Sequence, residues 1–204
     1  MGNNASIGRL AGEAARAVRN HEFEVTDRGI FLPKAKVHIG GVLRHTHIDA
    51  AGNEDVAVDP NLIVNEGLNY LLNSALGGGS QVGAFFLAPF SGNVTPAAGW
   101  TGANFASNAT EFTAYTNSTR LPWTTVAATA QSIGNSAALA AATATFSAGG
   151  PYNLYGVGLL QASAKSATTG VLVAAVSFAA PRLNMAAGDK LAFEYVLAAS
   201  DDGV

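Results

Sequence analysis

The segment Leu191-Ala192-Phe193-Glu194-Tyr195-Val196-Leu197 decides the fold class, because two kinds of side chain alternate along it. Leu191, Phe193, Tyr195 and Leu197 fall on one face of an extended strand, and the residues between them fall on the other. Large apolar side chains at every second position are typical of a strand with one face in a core. The segment therefore predicts a β-strand that borders a hydrophobic interior.

Segments of similar length precede this strand, and Gly, Pro, Ser or Asn residues separate them. The further strand candidates are Val82–Ala88, Glu111–Tyr115, Thr124–Ala128, Ala138–Phe146, Leu154–Gln161 and Val171–Phe178. About seven strands with regular turn signals predict a mainly β fold in which two sheets pack as a β-sandwich. Both a jelly roll and an immunoglobulin-like sandwich fit this pattern.

One helix is predicted directly before these strands, over residues 60–76. Asp59 is a suitable N-cap, and Pro60 is favoured at the first helical position. Gly77-Gly78-Gly79 would end the helix. Its apolar face would pack against one open side of the sandwich; this face consists of Leu62, Ile63, Leu68, Leu71, Leu72, Ala75 and Leu76.

The charged residues divide the chain into two regions near residue 66. Residues 1–66 carry seven of the eleven Lys and Arg residues and nine of the fourteen Asp and Glu residues. Such a shift in composition marks regions with different environments. We therefore predict an extended, charged N-terminal arm over residues 1–58, and a helix followed by a β-sandwich over residues 59–204.

The arm contains several local patterns that predict short elements. They are a helix over Ser6–Arg19, a strand at His21–Val25, a hairpin of Ala35–Ile39 with Val42–Ile48 around Gly40-Gly41, and a turn at Asp49–Asn53. Short strands and a weakly apolar helix are suited to assembly contacts, in which a segment adds to a neighbour's sheet or packs on it.

The overall composition restricts the classes of function. Of all residues 49% are apolar and only 12% are charged, about half the usual charged fraction. The net charge of −3 gives no basic field that would hold nucleic acid. The chain has no cysteine, which excludes disulfides and cysteine-based zinc sites.

No membrane or secretion segment is recognisable in the sequence. Residues 121–164 lack charge, but Pro122, Gly134 and Gly149-Gly150-Pro151 interrupt them before about 20 continuous apolar residues accumulate. The start of the chain, Met1-Gly2-Asn3-Asn4, lacks the basic and apolar parts of a secretion signal. We expect synthesis in the cytoplasm and no membrane partner.

His45, His47 and Asp49 are the candidate metal ligands. Residues two positions apart on a strand point to the same face, so the two imidazoles and the carboxylate would face one ion. The alternative is an ordinary solvated strand face in the arm, where all four histidines of the chain fall. Because the spacing fixes no fourth ligand, we predict neither a metal nor a cofactor.

No group of catalytic residues is apparent, and we predict that the chain is not an enzyme. Glu66 and Glu111 are a conceivable pair of glycosidase carboxylates, but nothing in their context supports this, since one falls on the predicted helix and the other begins a predicted strand. The sequence has no Gly-x-Ser-x-Gly nucleophile motif. The three glycines at 77–79 follow a helix and precede no Lys, unlike a phosphate-binding loop.

Aromatic residues of the β region offer a surface on which sugars would stack. Most are expected in the core, namely Phe85, Phe86, Phe90, Phe105, Phe112, Tyr115 and Trp123. Trp100 lies in the loop Pro96–Asn108 and is the best candidate for an exposed contact residue. Exposure of its ring would favour a module that binds glycans.

A series of short motifs follows a defined order between about residues 60 and 200. They are the run Asn61–Leu72, the aromatic segment Val82–Phe90, Thr95–Gly99, Glu111–Tyr115, Arg120–Trp123, Thr168–Leu172 and Gly188–Leu191. This order resembles small virion structural proteins of tailed bacteriophages, of the head decoration, cement or head-fibre type. The resemblance does not cover the arm, and it implies neither a cofactor nor catalytic residues.

From this resemblance we expect a structural virion protein on the exterior of the capsid, a decoration or cement protein that stabilises the head. Its expected partners are the major capsid protein and further copies of itself, as a homodimer or homotrimer. The arm would grip the shell, and many modest contacts would add through multivalency. The alternative is a tail or fibre-associated module that binds host-surface glycans.

Overall fold

The computed structural model describes residues 24–26, 29–31 and 37–201 of the chain. The strands β1 (Glu24–Thr26) and β2 (Gly29–Phe31) form an antiparallel pair. Residues 39–199 form a separate compact unit. It contains two antiparallel sheets that pack together as a β-sandwich, so the predicted fold class is confirmed.

The sandwich is built from ten strands, two α-helices and one 3-10 helix in the described part of the chain. They are β3 (Val37–Ile48), β4 (Glu54–Pro60), β5 (Leu62–Ile63), α1 (Asn65–Ala75), β6 (Phe85–Phe90), α2 (Phe105–Ala109), β7 (Leu121–Trp123), β8 (Ser132–Gly134), the 3-10 helix (Ser136–Ala142), β9 (Thr143–Thr145), β10 (Tyr152–Leu160), β11 (Leu172–Met185) and β12 (Lys190–Asp201).

The strands are divided into two sheets of five. Sheet A has the order β5-β11-β10-β6-β7, and sheet B has the order β4-β3-β12-β8 with β9 also paired to β12. Within the residues that the structure describes, no helix is long and apolar enough to cross a membrane.

The main core lies between the two sheets. The alternating side chains of β12, at Leu191, Phe193, Tyr195 and Leu197, are all buried in it, as the sequence predicts. They share one apolar cluster with residues of sheet A such as Leu159 on β10. The period-two pattern of β12 therefore reflects a strand with one face in the interior.

A second core lies on the other face of sheet A. Phe90, Trp100, Phe105 and Leu172 are buried there, where the segment between β6 and β7 folds over the sheet. Since sheet A is covered on both faces, its central strands contain continuous buried runs rather than alternating ones.

Helix α1 begins at Asn65, not at Pro60. Asp59 and Pro60 end strand β4, and Leu62–Ile63 form β5, so neither Asp59 nor Pro60 has the predicted helical role. Pairing of β4 with β3 uses these residues instead. Pro60 is tolerated because β4 is an edge strand, on which a missing N–H breaks no essential bond.

The predicted end of the helix is confirmed. Gly77 and Gly79 donate their N–H groups to the carbonyl O of Asn73, over 3.1 and 2.8 Å. Gly78 has a φ of +70°, a left-handed conformation that glycine adopts without steric conflict. The three glycines terminate a helix.

Strand β3 runs without interruption through Gly40 and Gly41, so the predicted hairpin is wrong. β3 pairs instead with β4, from Val42 opposite Pro60 to Ile48 opposite Glu54. Gly41 serves packing, since a Cβ atom there would lie 2.2 Å from the carbonyl O of Val196. The turn predicted at residues 49–53 is confirmed and connects the two strands.

Strands β3 and β4 belong to sheet B, which places residues 39–58 in the sandwich. The boundary predicted after residue 58 therefore lies too late along the chain, because the compact unit begins at Ile39. The helix predicted at Ser6–Arg19 lies outside the described residues. Of the predicted strand His21–Val25, only the last two residues are described, and they belong to β1.

The other strand predictions differ in accuracy. Those that coincide with observed strands are Val82–Ala88 with β6 in part, Leu154–Gln161 with β10 and Val171–Phe178 with β11. Glu111–Tyr115, which makes only isolated bridges, and Thr124–Ala128 do not form strands. Ala138–Phe146 contains β9 at Thr143–Thr145, but its first five residues belong to the 3-10 helix. Alanine has little preference for strands, and the last segment is rich in it.

Candidate functional site

The densest group of polar side chains lies between the sheets, around His45. The register of β3 on β4 places His45 opposite Ala57, with its side chain on the inner face of sheet B. The ring is fully buried and stacks on Phe178 of β11, with ring centroids 4.0 Å apart. A polar ring in such a position needs hydrogen-bond partners inside the protein.

Asp59 and Arg182 bind the two ring nitrogens of His45. Nε2 lies 2.9 Å from Oδ2 of Asp59, and Nε of Arg182 donates to Nδ1 over 3.0 Å. A guanidinium only donates, so Nδ1 must be the unprotonated acceptor, and Nε2 carries the proton that it donates to Asp59. These contacts fix His45 as a neutral ring.

The same side chains join the two sheets. Arg182, on β11 of sheet A, also binds the carboxylate of Asp55 and donates to its carbonyl O over 3.2 Å on β4 of sheet B. Oδ1 of Asp59 accepts the N–H of Ala179 from β11 over 2.9 Å. We call His45, Asp55, Asp59 and Arg182 the inter-sheet polar cluster.

Burial lowers the pKa of His45 below its usual value of 6.5. The hydrogen bond to Asp59 opposes this shift, and the charge of Arg182 adds to it. Because the ring of His45 has no exposed surface, it positions strands and offers no atom to a substrate.

The predicted metal site at His45, His47 and Asp49 is not assembled. Both imidazoles do lie on one face of the strand, but Nε2 of His47 lies 3.1 Å from Oδ2 of Asp189, a different partner from that of His45. Asp49 accepts main-chain N–H groups inside the β3–β4 turn. No group of His, Asp and Glu in the described ranges is arranged to hold a metal ion. The alternative of a solvated strand face is also wrong for His45, which is buried.

Glu66 and Glu111, the candidate glycosidase pair, bind separate partners. Oε2 of Glu66 accepts the N–H groups of Gly102 and Leu172, each over 2.7 Å, which ties α1 to the loop before α2 and to β11. Glu111 forms a two-bond ion pair with Arg120, over 2.9 and 2.6 Å. Each carboxylate therefore holds neighbouring segments together.

Arg120 is fully buried although it carries a charge. Besides the pair with Glu111, its Nη1 and Nη2 atoms donate to the carbonyl O atoms of Ala162 and Ala167, over 3.0 and 3.1 Å. A buried guanidinium is tolerated when its donors are satisfied in this way. The arrangement fixes the β10–β11 loop against the segment before β7.

Trp100 is buried, so the prediction of an exposed contact residue is wrong. Its side chain is only 8% exposed and meets Phe90 and Phe105 edge-on, with ring centroids 6.4 and 6.3 Å apart. The loop that carries Trp100 folds back over sheet A, and this places the indole ring in the second core.

Another tryptophan, Trp123, lines an open cavity of about 470 Å³ beside β6 and β7. Phe86, Thr124 and Thr125 also line it, and none of its lining residues carries a charge. Nε1 of Trp123 donates to the carbonyl O of Tyr195 over 2.9 Å, which holds the ring in place. The chemistry of this cavity suits a neutral ligand.

The outer face of sheet B carries exposed apolar side chains. Val42, Val56 and Val58 are 46, 42 and 59% exposed, and they alternate with inward-facing residues of β3 and β4. The outer face of sheet B is exposed at these three positions, although Thr46 and Ala192 on the same face are buried. We call these three residues the valine face.

A second exposed apolar row follows helix α1 at intervals of four residues. Leu68, Leu72 and Leu76 lie on the solvent side, where Leu76 is 84% exposed. The predicted packing of these leucines on the sandwich is therefore wrong. Gly67 takes that position instead, because a Cβ atom there would lie 2.1 Å from the carbonyl O of Val173.

The inter-sheet polar cluster is the part of the site that sequence reasoning missed. Asp59 has the pattern of a helix cap, and Arg182 has no assigned role. The scarcity of positively charged residues in the β region is the signal that would have indicated this cluster. Only four Lys and Arg residues follow residue 66, and two of them, Arg120 and Arg182, are buried. A lone arginine in an apolar strand indicates a partner inside the fold.

No protein-family profile matches the sequence, and comparison with curated proteins finds none that is significantly similar.

Proposed function

We propose that the chain is a structural virion protein, a capsid decoration or cement protein of a tailed bacteriophage that binds the major capsid protein and neighbouring copies. The observation that carries this proposal is the exposed valine face of sheet B, on a chain in which only 12% of residues are charged. Apolar surface of this kind is stabilised when a partner removes it from water. The resemblance of residues 60–200 to small phage virion proteins supports the same assignment.

The polar side chains fit a scaffold role. Glu66, Glu111, Arg120 and the inter-sheet polar cluster each bind other parts of the same chain and hold its strands and loops in place. A sandwich fixed in this way presents its surfaces without reorganisation, which reduces the entropy lost at each contact. Repeated copies on a shell then add their modest contacts.

Imaging of intact particles that contain the chain tests this proposal. We expect the sandwich on the outside of the capsid, with the valine face or the leucine row of α1 against the major capsid protein or another copy. A position at the tail or inside the shell would contradict the proposal.

Rebinding to particles stripped of the chain tests the valine face. Val42→Lys places a charge in that face, and we expect it to reduce the affinity for particles about tenfold, equivalent to about 1.4 kcal/mol. Val126→Lys is the matched control, because Val126 is 66% exposed but lies in the loop after β7. Equal affinities of Val42→Lys and the native chain would show that the valine face is not the contact.

A second candidate function is a tail or fibre-associated module that binds host-surface glycans, and the cavity beside Trp123 favours it. Neutral sugars suit a cavity that combines aromatic rings with the hydroxyl groups of Thr124 and Thr125. The affinity for a neutral glycan should fall in Thr124→Val. It should be unchanged in Thr129→Val, because Thr129 lies outside the cavity. Absence of binding to a panel of neutral glycans would remove this candidate.

A further inference from the structure

Strand β4 is an edge of sheet B. Among the described strands, β3 is its only hydrogen-bonded neighbour. Main-chain hydrogen bonds at both ends establish which residue pairs are bonded. The N–H of Asn61 donates to the carbonyl O of Gly41, and the N–H of Asp49 donates to the carbonyl O of Asn53. Along an antiparallel ladder, hydrogen-bonded pairs alternate with non-hydrogen-bonded pairs. The main-chain groups of Asp55, Ala57 and Asp59 therefore bond to β3. Val56 and Val58 consequently direct their N–H and C=O groups away from it.

An edge with free main-chain groups and exposed apolar side chains is a template for another strand. Natural edges are often protected by charged side chains, proline, bulges or very short strands. β4 has charged residues and Pro60 only toward its two ends, and its central residues Val56, Ala57 and Val58 carry no charge. The open edge and two of the three residues of the valine face thus coincide on β4.

We propose that two copies of the chain associate by antiparallel pairing of their β4 strands about a twofold axis at Ala57. Val56 of each copy then forms a hydrogen-bonded pair with Val58 of the other, and the two sheets B become one continuous sheet. In a twofold contact both partners use the same surface. β4 meets this condition because a valine lies on each side of Ala57, at positions 56 and 58.

The charges of β4 limit the strength of this contact. In this register Asp55 of one copy faces Asp59 of the other, a pairing of like charges that opposes association. Both side chains lie on the inner face of sheet B, where Arg182 binds Asp55 within the same chain and offsets part of this repulsion, whereas the ring of His45, which binds Asp59, is neutral. Glu54, which points to the outer face, is placed opposite Pro60, which has no charge.

The expected contact is small, because one strand of seven residues is its centre. Interfaces of that size are weak and transient, so we expect a dissociation constant on the order of micromolar. Sedimentation equilibrium of the full chain, up to about 200 µM, should therefore show a species of twice the 20.7 kDa mass of one chain. A single species of 20.7 kDa over that range would overturn the proposal.

Two variants locate the contact. Val58→Lys introduces the charge that natural edge strands use against pairing, and it should raise the dissociation constant at least about tenfold. Leu183→Lys is the matched control, since Leu183 is 52% exposed on β11, and it should keep the native value. An unchanged constant in Val58→Lys, or an equal rise in Leu183→Lys, would contradict pairing through β4.

A cysteine at the axis tests the register. The chain has no cysteine, so Ala57→Cys introduces one thiol per copy, at a non-hydrogen-bonded pair where Cα atoms lie about 4.5 Å apart. Mild oxidation should link two copies through Ala57→Cys and not through Ala198→Cys, which is exposed on β12. The reverse result would place the contact on the face of sheet B and overturn edge pairing. These outcomes do not depend on binding to a capsid, which can fail or succeed separately.

Discussion

The hydrogen-bond partners of His45 are compatible only with a neutral ring that carries its proton on Nε2. Protonation of Nδ1 would replace an acceptor by a donor and place a second cation beside the guanidinium of Arg182. Asp59 and Asp55 favour the charged ring, but burial outweighs them, and the pKa of His45 lies below its ordinary value. The neutral ring is therefore part of what holds sheet A to sheet B.

We expect the folded chain to lose stability as the pH falls below about 6.5, the usual pKa of a histidine side chain. The pKa of His45 is lower in the folded than in the unfolded chain, so the unfolded state binds more protons in this range. The free energy of unfolding then decreases as the pH falls, by at most about 1.4 kcal/mol per pH unit for this one group. Urea unfolding between about pH 8 and pH 5 measures the slope.

His45→Gln is the variant that isolates this effect. It should be less stable than the native chain at neutral pH, but its stability should depend less on pH below about 6.5, because the titrating ring is absent. His38→Gln, at an exposed position, should keep the native slope. A native slope in His45→Gln would show that another group causes the acid sensitivity.

Removal of one partner of the buried Glu111–Arg120 pair should destabilise the chain far more than removal of a surface partner. Arg120→Met leaves a buried carboxylate without its cation, and we expect a loss of about 3–5 kcal/mol. Arg44→Met breaks a 3.4 Å contact with Glu194 at a residue that is 46% exposed, and it should cost less than about 1 kcal/mol. Urea unfolding curves compare the two variants, and similar losses would contradict the structural role of Arg120.

Spacing in the sequence correctly places His45 and His47 on one face, because the two-residue period of a strand is a local property. Their partners could not be predicted in the same way. Asp59, Arg182 and Asp189 are separated from the histidines that they bind by 14, 137 and 142 positions, respectively. Only the pairing of β3 with β4 and the packing of β11 bring them together.

Among the elements, helix α1 depends on a glycine where it meets β11. Gly67→Ala would place a Cβ atom 2.1 Å from the carbonyl O of Val173, so the helix would have to move. Although alanine favours helices by about 1 kcal/mol over glycine, we expect a net loss of about 1–3 kcal/mol. Chemical unfolding measures it. Gly83→Ala is the control, because nothing lies within 4 Å of its added Cβ, and an equal loss there would contradict this contact.

The elements that could be predicted are those with a local signal. Strand β12 alternates strictly, and Gly77-Gly78-Gly79 ends α1 as such a run should. Gly40-Gly41 is typical of a turn and Asp59-Pro60 of a helix start, yet both lie in the paired strands β3 and β4. At these positions, pairing between distant segments outweighs local preference.

At the scale of the whole molecule, truncation distinguishes the observed boundary from the one at residue 58. A variant without residues 1–36 keeps every strand of sheets A and B, and we expect it to unfold cooperatively. A variant without residues 1–58 loses β3 and most of β4, which leaves an edge of β12 unpaired and removes Leu43 from the core, and it should not fold. Near-ultraviolet circular dichroism and thermal unfolding separate these outcomes. A folded second variant would contradict the assignment of β3 and β4 to sheet B.

Two of the arginines of the sandwich are buried, which reduces the charge that it presents to its surroundings. Arg120 and Arg182 are neutralised by carboxylates of the same chain, and Arg44, which lies opposite Val58, is paired with Glu194 over 3.4 Å. The distance over which charges interact falls from about 10 Å at 0.1 M salt to about 3 Å at 1 M salt. Proteins that are held together by opposite charges therefore dissociate as the salt concentration rises. Contacts through apolar side chains and paired main chains lack this weakness, and excluded salts such as sulfate strengthen them. We therefore expect contacts made through the valine face and the edge of β4 to persist in dilute buffer and in concentrated salt alike.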